Sequence, residues 1–285
     1  MISIRSLEKV SKNILFEAFQ EAFKDYEMQL TQAELLKMML RRGFKAHLSF
    51  GAFAGEKLVS FTFNGIGTFN DQQTAYDTGT GTIEEYRGKG LASRIFDYSI
   101  PHLKGAGISQ YLLEVLQHNS SAVSLYRRLG FEVSREFNYF TESSSQLRLP
   151  SIGPDPNFKI LPADLNKKAK MSSFWDQTPS WQNSFDAVER APEDFLILGA
   201  YGGDNLIGYC IFEPGSGDIT QLAVDRSFRR QGIASLLLLE AIKINRHDSV
   251  KAINYQTDQS DFSHLMDYFG ISKKGQQFEM IKQLI

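Results

Sequence analysis

Apolar positions along this 285-residue chain switch between a period of two and a period near 3.6, and they do so twice in the same order. In the first half, alternation at 2–7 predicts a strand. Helices are predicted at 8–23 and 32–42, the second with Thr31 as its cap and Gly43 beyond its end. Strand-like runs at 46–54 and 58–64 flank Gly55-Glu56-Lys57, a turn of hairpin length, and a third run covers 74–83. Helical periodicity through Leu91, Ile95, Phe96 and Ile100 comes next. A strand at 109–116, a helix at 121–129 stopped by Gly130, and short strands at 131–133 and 137–140 complete this half. The second half reads alike: a strand at 158–161, an irregular or helical stretch to 190, and a hairpin of 196–201 with 206–212. A strand at 219–224, a helix from 233 to 245, a strand at 250–256, a helix at 260–269 before Gly270 and a last strand at 278–284 follow.

Between the halves, residues 149–156 gather three of the eight prolines with a glycine, which marks a linker. The expected organisation is therefore an N-terminal domain at 1–148, a linker at 149–156 and a C-terminal domain at 157–285. The expected fold class is α+β, each domain a mixed and mostly antiparallel sheet with helices on both sides.

The two halves also share a motif. Tyr86-Arg87-Gly88-Lys89-Gly90-Leu91-Ala92-Ser93 and Phe228-Arg229-Arg230-Gln231-Gly232-Ile233-Ala234-Ser235 both read aromatic-Arg-x-x-Gly-x-Ala-Ser, and each lies where a strand meets a helix. The first turn of a helix has unpaired N–H groups and a partial positive charge, and glycine lets an anion approach the main chain, so such a corner suits phosphate. Plain strand-turn-helix architecture uses glycine here too. Neither corner is a Walker loop or a dinucleotide-binding glycine fingerprint.

Composition narrows the field. Net charge is −2, with no basic field of the kind that binds nucleic acid, and the single Cys210 excludes an intrachain disulfide framework and Cys-rich zinc sites; no metal is expected. The start of the chain alternates like a strand, without the charged and apolar regions of a signal peptide, and no apolar run is long enough for a spanning helix. A soluble, cytoplasmic protein without a membrane partner is the expectation.

Beyond the first corner, the strand Leu112-Leu113-Glu114-Val115 leads into Asn119-Ser120-Ser121-Ala122-Val123-Ser124-Leu125-Tyr126-Arg127-Arg128-Leu129-Gly130-Phe131, with Asn119 placed as a helix cap. With the Arg87 corner, these residues resemble the GCN5-related N-acetyltransferase superfamily over essentially the whole first domain, and the duplication resembles its tandem form. The resemblance implies an acetyl-coenzyme A site. In it the amides of Arg87, Gly88, Lys89, Gly90, Leu91 and Ala92 cradle pyrophosphate, the strand ending at Thr82 and Ile83 pairs with the pantetheine arm, Asn119 touches the cofactor, and Tyr126 stands near the sulfur. The implied reaction is direct attack of a primary amine on the thioester, which needs a base for the ammonium, a donor for the oxyanion and an acid for the leaving thiolate. Tyr126 is the expected acid. Asp77 and Glu114 are equal candidates for the base, and each also suits a structural carboxylate. The resemblance places the acceptor near the first two helices, where Phe23, Asp25 and Tyr26, with Tyr76, would form an aromatic pocket carrying an acid; plain core packing accounts for the same aromatics.

In the second copy, Val224, Arg229, Arg230, Gln231, Gly232, Ile233 and Ala234 repeat the cradle, but Gln259 stands for Asn119 and Met266 for Tyr126, and methionine has no proton to donate. Asp218 remains a possible base there, and Trp175, Trp181, Gln182 and Asn183 fall in the stretch that corresponds to the acceptor side. The C-terminal domain reads as a degenerate copy that binds cofactor or completes the structure. Two other readings stay open: an acyl-coenzyme A sensor or scaffold without turnover, and transfer of a longer acyl chain. The sequence leaves the acceptor, a small molecule or a peptide or protein amine, and the oligomeric state undetermined.

Overall fold

The computed structural model describes residues 1–25, 29–151 and 157–284. Its first elements are β1 (Ile2–Ser6), α1 (Lys12–Ala22), α2 (Gln32–Arg41), β2 (Phe50–Ala54), β3 (Lys57–Phe69), β4 (Gln72–Thr82), α3 (Leu91–Gly105), β5 (Gln110–Leu116) and α4 (Ser120–Arg128). Next come β6 (Glu132–Ser143), β7 (Lys159–Pro162), α5 (Lys168–Ser172), α6 (Phe185–Arg190), β8 (Leu196–Gly202) and β9 (Asn205–Glu213). The chain closes with β10 (Asp218–Val224), α7 (Ile233–Lys243), β11 (Ser249–Gln256), α8 (Ser260–Phe269) and β12 (Lys273–Gln283). No described helix is long and apolar enough to cross a membrane.

The chain forms two compact units, Met1–Arg135 with Phe278–Ile285, and Glu136–Gln277. This division differs from the expected boundary at 149–156. Backbone pairing decides which sheet a strand completes, and proline content does not: residues Phe137–Ser143 pair with β11, whereas the Leu284 amide donates to Ser109 O at the start of β5.

In unit 1 the strands lie in the order β1-β2-β3-β4-β5, with the C-terminal part of β12 beside β5. All neighbours among β1–β4 are antiparallel, and β4 and β5 are parallel. Their pairing runs only from Thr74↔Gln110 to Tyr76↔Leu112, so the strands separate beyond Tyr76. At the same place the β3–β4 register shifts between Phe63 and Asn64, leaving Thr78 as a bulge. One core cluster packs α1, α2 and the start of α3 on β2 and β3 through Leu15, Leu35, Met39, Phe61 and Ile95. A second joins α3, α4 and β5 through Phe96, Tyr111, Val123 and Phe131, and Met280 and Leu284 of the last segment pack into it.

Several elements depart from their predicted bounds for local reasons. α1 starts at Lys12, not residue 8, because Ser11 caps it. α2 carries a full capping box, Thr31 and Glu34 satisfying each other's amides. Residues 46–48 make a tight helical turn instead of beginning a strand. The strands expected at 131–133 and 137–140 form one strand, β6, because Ser134 and Arg135 stay extended with their side chains bound to Glu279.

In unit 2 the order is β6-β11-β10-β9-β8-β7. Among the described residues β10 and β11 pair in parallel, joined at Asp218↔Lys251, the β7–β8, β8–β9, β9–β10 and β11–β6 pairs are antiparallel, and β10 bulges at Thr220. α7 is apolar almost all round and lies in the main core with Phe212, Ile219, Met266 and Phe269. The stretch that reads as irregular includes two short helices, α5 and α6, and a smaller cluster around Phe174, Phe185 and Tyr209. Each unit is thus a mixed sheet flanked by helices, in the α+β class.

Candidate functional site

The corner of unit 1 is set by backbone conformation. Gly88 has φ +74° and Gly90 φ +69°, in the left-handed region that glycine enters without penalty, and a Cβ at either would meet open space. Gly90 is the N-cap of α3 and no side chain caps the helix, so the first-turn amides from Leu91 onward face outward with no protein acceptor from a capping residue. The Arg87 guanidinium turns back into the protein, donating to Ala22 O (2.9 Å) and Thr82 O (3.2 Å) and pairing with Asp25 (3.4 Å). Arg87 therefore braces the corner from behind. Lys89 lies over the Tyr86 ring at 4.6 Å. Ile83 is wholly buried and its amide donates to Val59 O, so Ile83 belongs to the core, while the Thr82 hydroxyl meets Ser60 at 2.7 Å. Asn119 caps α4, its Oδ1 accepting from the Ala122 amide at 3.2 Å.

The expected chemical groups gather where β4 and β5 separate. The Tyr126 hydroxyl, presented by α4, donates to Asp77 Oδ2 at 3.0 Å, and Thr80 Oγ1 reaches the same oxygen at 2.8 Å. Tyr76 and Asp77 are successive residues of β4 and leave opposite faces of the sheet. Tyr76 donates to Glu114 on β5. Asp77 Oδ1 and Glu114 Oε1 are shielded from solvent and have no hydrogen-bond partner among the described residues. Burial pushes the Asp77 carboxyl up to about 6 despite donors from Thr80, Tyr126 and the Gly79 backbone, and burial pushes Glu114 up to about 7 despite Tyr76. The split thus holds Tyr126 with Asp77 on one face and Tyr76 with Glu114 on the other, both carboxyls raised by burial.

The aromatics expected at the acceptor side are placed differently. Tyr76 is buried against Glu114, and Phe23 packs its ring on Phe19 (centroids 4.6 Å apart) and Phe61 (6.4 Å). Asp25 is exposed and bound to Arg87; Tyr26 lies outside the described residues. Residues outside the expected acid and base set join the site: Thr80, from the strand expected to pair with the cofactor arm, and the buried pair in which Tyr111 donates to Asn64. No local motif marks them. They meet Asp77 only through the bulge and the pairing of β3, β4 and β5.

Unit 2 repeats the corner with one informative change. Gly232 (φ +81°) caps α7 as Gly90 caps α3, and Arg230 occupies the left-handed region (φ +62°) where unit 1 has Gly88. Arg229 again turns inward, to Val224 O (3.0 Å), Phe174 O (3.2 Å) and Asp176 (2.9 Å). A cavity of about 670 Å³ runs from this corner along β10 and β11 to Trp175, Tyr209 and Gln221. At that end the Trp175 Nε1 donates to the Tyr209 hydroxyl (2.5 Å), which donates to Gln221 (2.6 Å), whose amide reaches Asn183 O (2.6 Å). Counting from the paired arginines and from the paired glycines Gly130 and Gly270, the positions of Asp77, Glu114 and Tyr126 are taken by Ile219, Asn254 and Met266. Asp218 is fully buried and accepts from Thr220 at 2.9 Å.

A chain with two mixed sheets, each splayed at its parallel pair and each with a glycine corner opening a helix, has the architecture of an acyltransferase. The acetyltransferase (GNAT) family model matches residues 12–131 and 163–266, and the chain belongs to that family, in its tandem form. It resembles a tandem GNAT protein from the clavulanic acid biosynthesis pathway (TM-score 0.75, 9% identity, covering 100% of this chain and 99% of that one) and a GCN5-related N-acetyltransferase from Sphaerobacter thermophilus (0.73, 14%, 99% and 96%). At those identities the likeness is one of fold. An N-alpha-acetyltransferase MAK3 from Arabidopsis thaliana is 27% identical over 128 residues, 45% of this chain and 67% of the relative. N-alpha-acetyltransferase 30 from Schizosaccharomyces pombe is 33% identical over 67 residues, 23% of this chain and less than half (45%) of the relative.

Proposed function

We propose that the protein is an N-acetyltransferase that moves an acetyl group from acetyl-coenzyme A to a primary amine, with the chemistry in unit 1. The observation that carries this reading is the hydrogen bond of Tyr126 to Asp77 where β4 and β5 separate, near an uncapped glycine corner, with Glu114 and Tyr76 on the opposite face of the same split. The site suits the cofactor: the amides from Arg87 to Ala92 suit a pyrophosphate, and the free edge of β4 up to Thr82 suits the amides of a pantetheine arm. Acetyl-coenzyme A, when bound, supplies an activated acetyl group and a thiol leaving group.

Glu114 takes the proton of the acceptor ammonium at Oε1, the oxygen that Tyr76 does not occupy. Tyr126 carries a transferable proton at Oη, and Asp77 fixes that hydroxyl's orientation. The N-alpha-acetyltransferase relatives support an α-amino group as the first acceptor class to try, with small amines as the second. The test is an acceptor panel with mass detection of acetylated product, together with free-thiol release, on the wild type and on Tyr126→Phe. Binding of coenzyme A with no product on any amine would favour a sensor or scaffold, and product only with longer thioesters would redirect the reading to another acyl group.

Unit 2 is proposed as a second coenzyme A cradle that does not react. Arg229–Ala234 preserve the corner, whereas Ile219, Asn254 and Met266 offer no titratable group. Calorimetry should find two coenzyme A equivalents in the wild type and one in Gly232→Val, with acetyl transfer retained.

A further inference from the structure

Four successive residues of unit 2 ahead of α6, Ser180, Trp181, Gln182 and Asn183, are each no more than 5% exposed. A connecting segment is rarely covered this fully, because its amides and carbonyls need partners away from water. Here partners come from both strands of the split. β10 and β11 pair at Asp218↔Lys251, and Gln221 and Ile253 lie beyond that pair on the two strands. Asn183 spans them: its main-chain carbonyl accepts from Gln221 Nε2 on β10 at 2.6 Å, and its Nδ2 donates to Ile253 O on β11 at 2.8 Å. Ser180 Oγ accepts from Asn254 Nδ2 at 3.1 Å. Asn254 is in the left-handed region (φ +60°) where β11 shifts register, and Gln277 holds its Oδ1 at 3.1 Å. The cavity that starts at the Arg229 corner reaches Asn183 at its far end.

We propose that Ser180–Asn183 plug the split of unit 2 at the end away from the cradle, so that an acyl-coenzyme A held there keeps its thioester out of reach of amines. The proposal rests on the reading of unit 2 as a coenzyme A cradle, and it gives that cradle a ligand class, the intact thioester. An acceptor needs a path to the carbonyl from the side opposite the cofactor, and Asn183, bonded to both strands, stands in it. The walls at that end are Trp175, Tyr209, Gln221 and Asn254, rings and amides with no carboxylate to receive an ammonium. Burial of the thioester among them excludes water as well.

The experiment is cleavage of acetyl-coenzyme A by hydroxylamine, with full-length Gly90→Val protein in excess so that unit 2 is the site filled. Hydroxylamine nitrogen bonds to the acetyl carbon, the C–S bond breaks, and the proton lost by nitrogen ends on the coenzyme A thiol, which is counted. The bound thioester should react at least about fivefold more slowly than free acetyl-coenzyme A. Adding Gly232→Val should abolish the protection. Asn183→Ala in the Gly90→Val background should react at least about threefold faster than its parent, with acetyl-coenzyme A affinity by calorimetry nearly unchanged. Gln221→Met breaks the other link and serves if Asn183→Ala does not fold. A thioester that binds but reacts at the free rate, or protection that survives loss of Asn183 or of Gly232, overturns the plug and leaves the cradle standing. Failure of Gly90→Val to bind acetyl-coenzyme A at all overturns the cradle and the plug together.

Discussion

The Tyr126 hydroxyl donates to Asp77 Oδ2 at 3.0 Å, linking the second helix of the family motif to the strand beside the splay. A phenol held by a carboxylate keeps one orientation and one acceptor, and Phe96 and Phe131 pack edge-on around its ring. Tyr126→Phe keeps that packing and loses the proton. Turnover should fall about 10²-fold with little change in coenzyme A affinity, read from steady-state kinetics and calorimetry. Unchanged turnover would take Tyr126 out of the mechanism.

Stability should depend on pH through the two raised carboxyls. Asp77 moves from 3.8 to about 6 and Glu114 from 4.5 to about 7, so the folded chain keeps protons that the unfolded chain has released. Their contribution is full below pH 4 and is lost as pH rises to about 7, on the order of 3 kcal/mol per group at most. Thermal melts from pH 4.5 to 7.5 should show wild type losing stability relative to Asp77→Asn and Glu114→Gln; a flat difference would contradict the assignment. Activity runs the other way, rising as Glu114 ionises.

The corner glycines should differ in tolerance. Gly90→Val forces a β-branched residue to φ +69° at the helix start and should weaken coenzyme A binding by about tenfold through 1–2 kcal/mol of strain, as roughly estimated for left-handed residues. Gly88→Arg installs what Arg230 already provides in unit 2 at a matching φ, and should fold with a Tm near wild type. Equal binding by wild type and Gly90→Val would refute the cradle.

Met266 is fully buried in the unit 2 core. Met266→Ala should cost about 2–5 kcal/mol in denaturant unfolding. Met266→Tyr should not create a second active centre, because Ile219 and Asn254 stand where a carboxylate is needed; new transferase activity in that variant would overturn the reading of unit 2.

Much of this was legible in the chain, for reasons tied to range. The corners, α2 with its Thr31 cap, α4 with Asn119, and the replacement of Tyr126 by Met266 depend on neighbours a few positions away. The pairing of Tyr126 with Asp77 spans 49 residues, and the binding of Tyr76 by Glu114 spans 38, so neither follows from local pattern. Tyr76 shows the difficulty: with Phe23, Asp25 and Tyr26 it reads equally as part of an acceptor pocket or as core packing, and only the pairing of β4 with β5 brings its hydroxyl to Glu114. The partition at Arg135 and Gln277 was hidden because proline-rich composition marks where a chain is irregular, not which sheet its flanking strands join.

That partition bears on how the protein is made. Glu136–Gln277 are complete as a contiguous stretch before Phe278 is synthesised, whereas Met1–Arg135 must wait for residues 278–285. The unit that emerges first from the ribosome is therefore the second able to close its core, exposing the β5 edge until those residues are made, at roughly 5–20 residues per second.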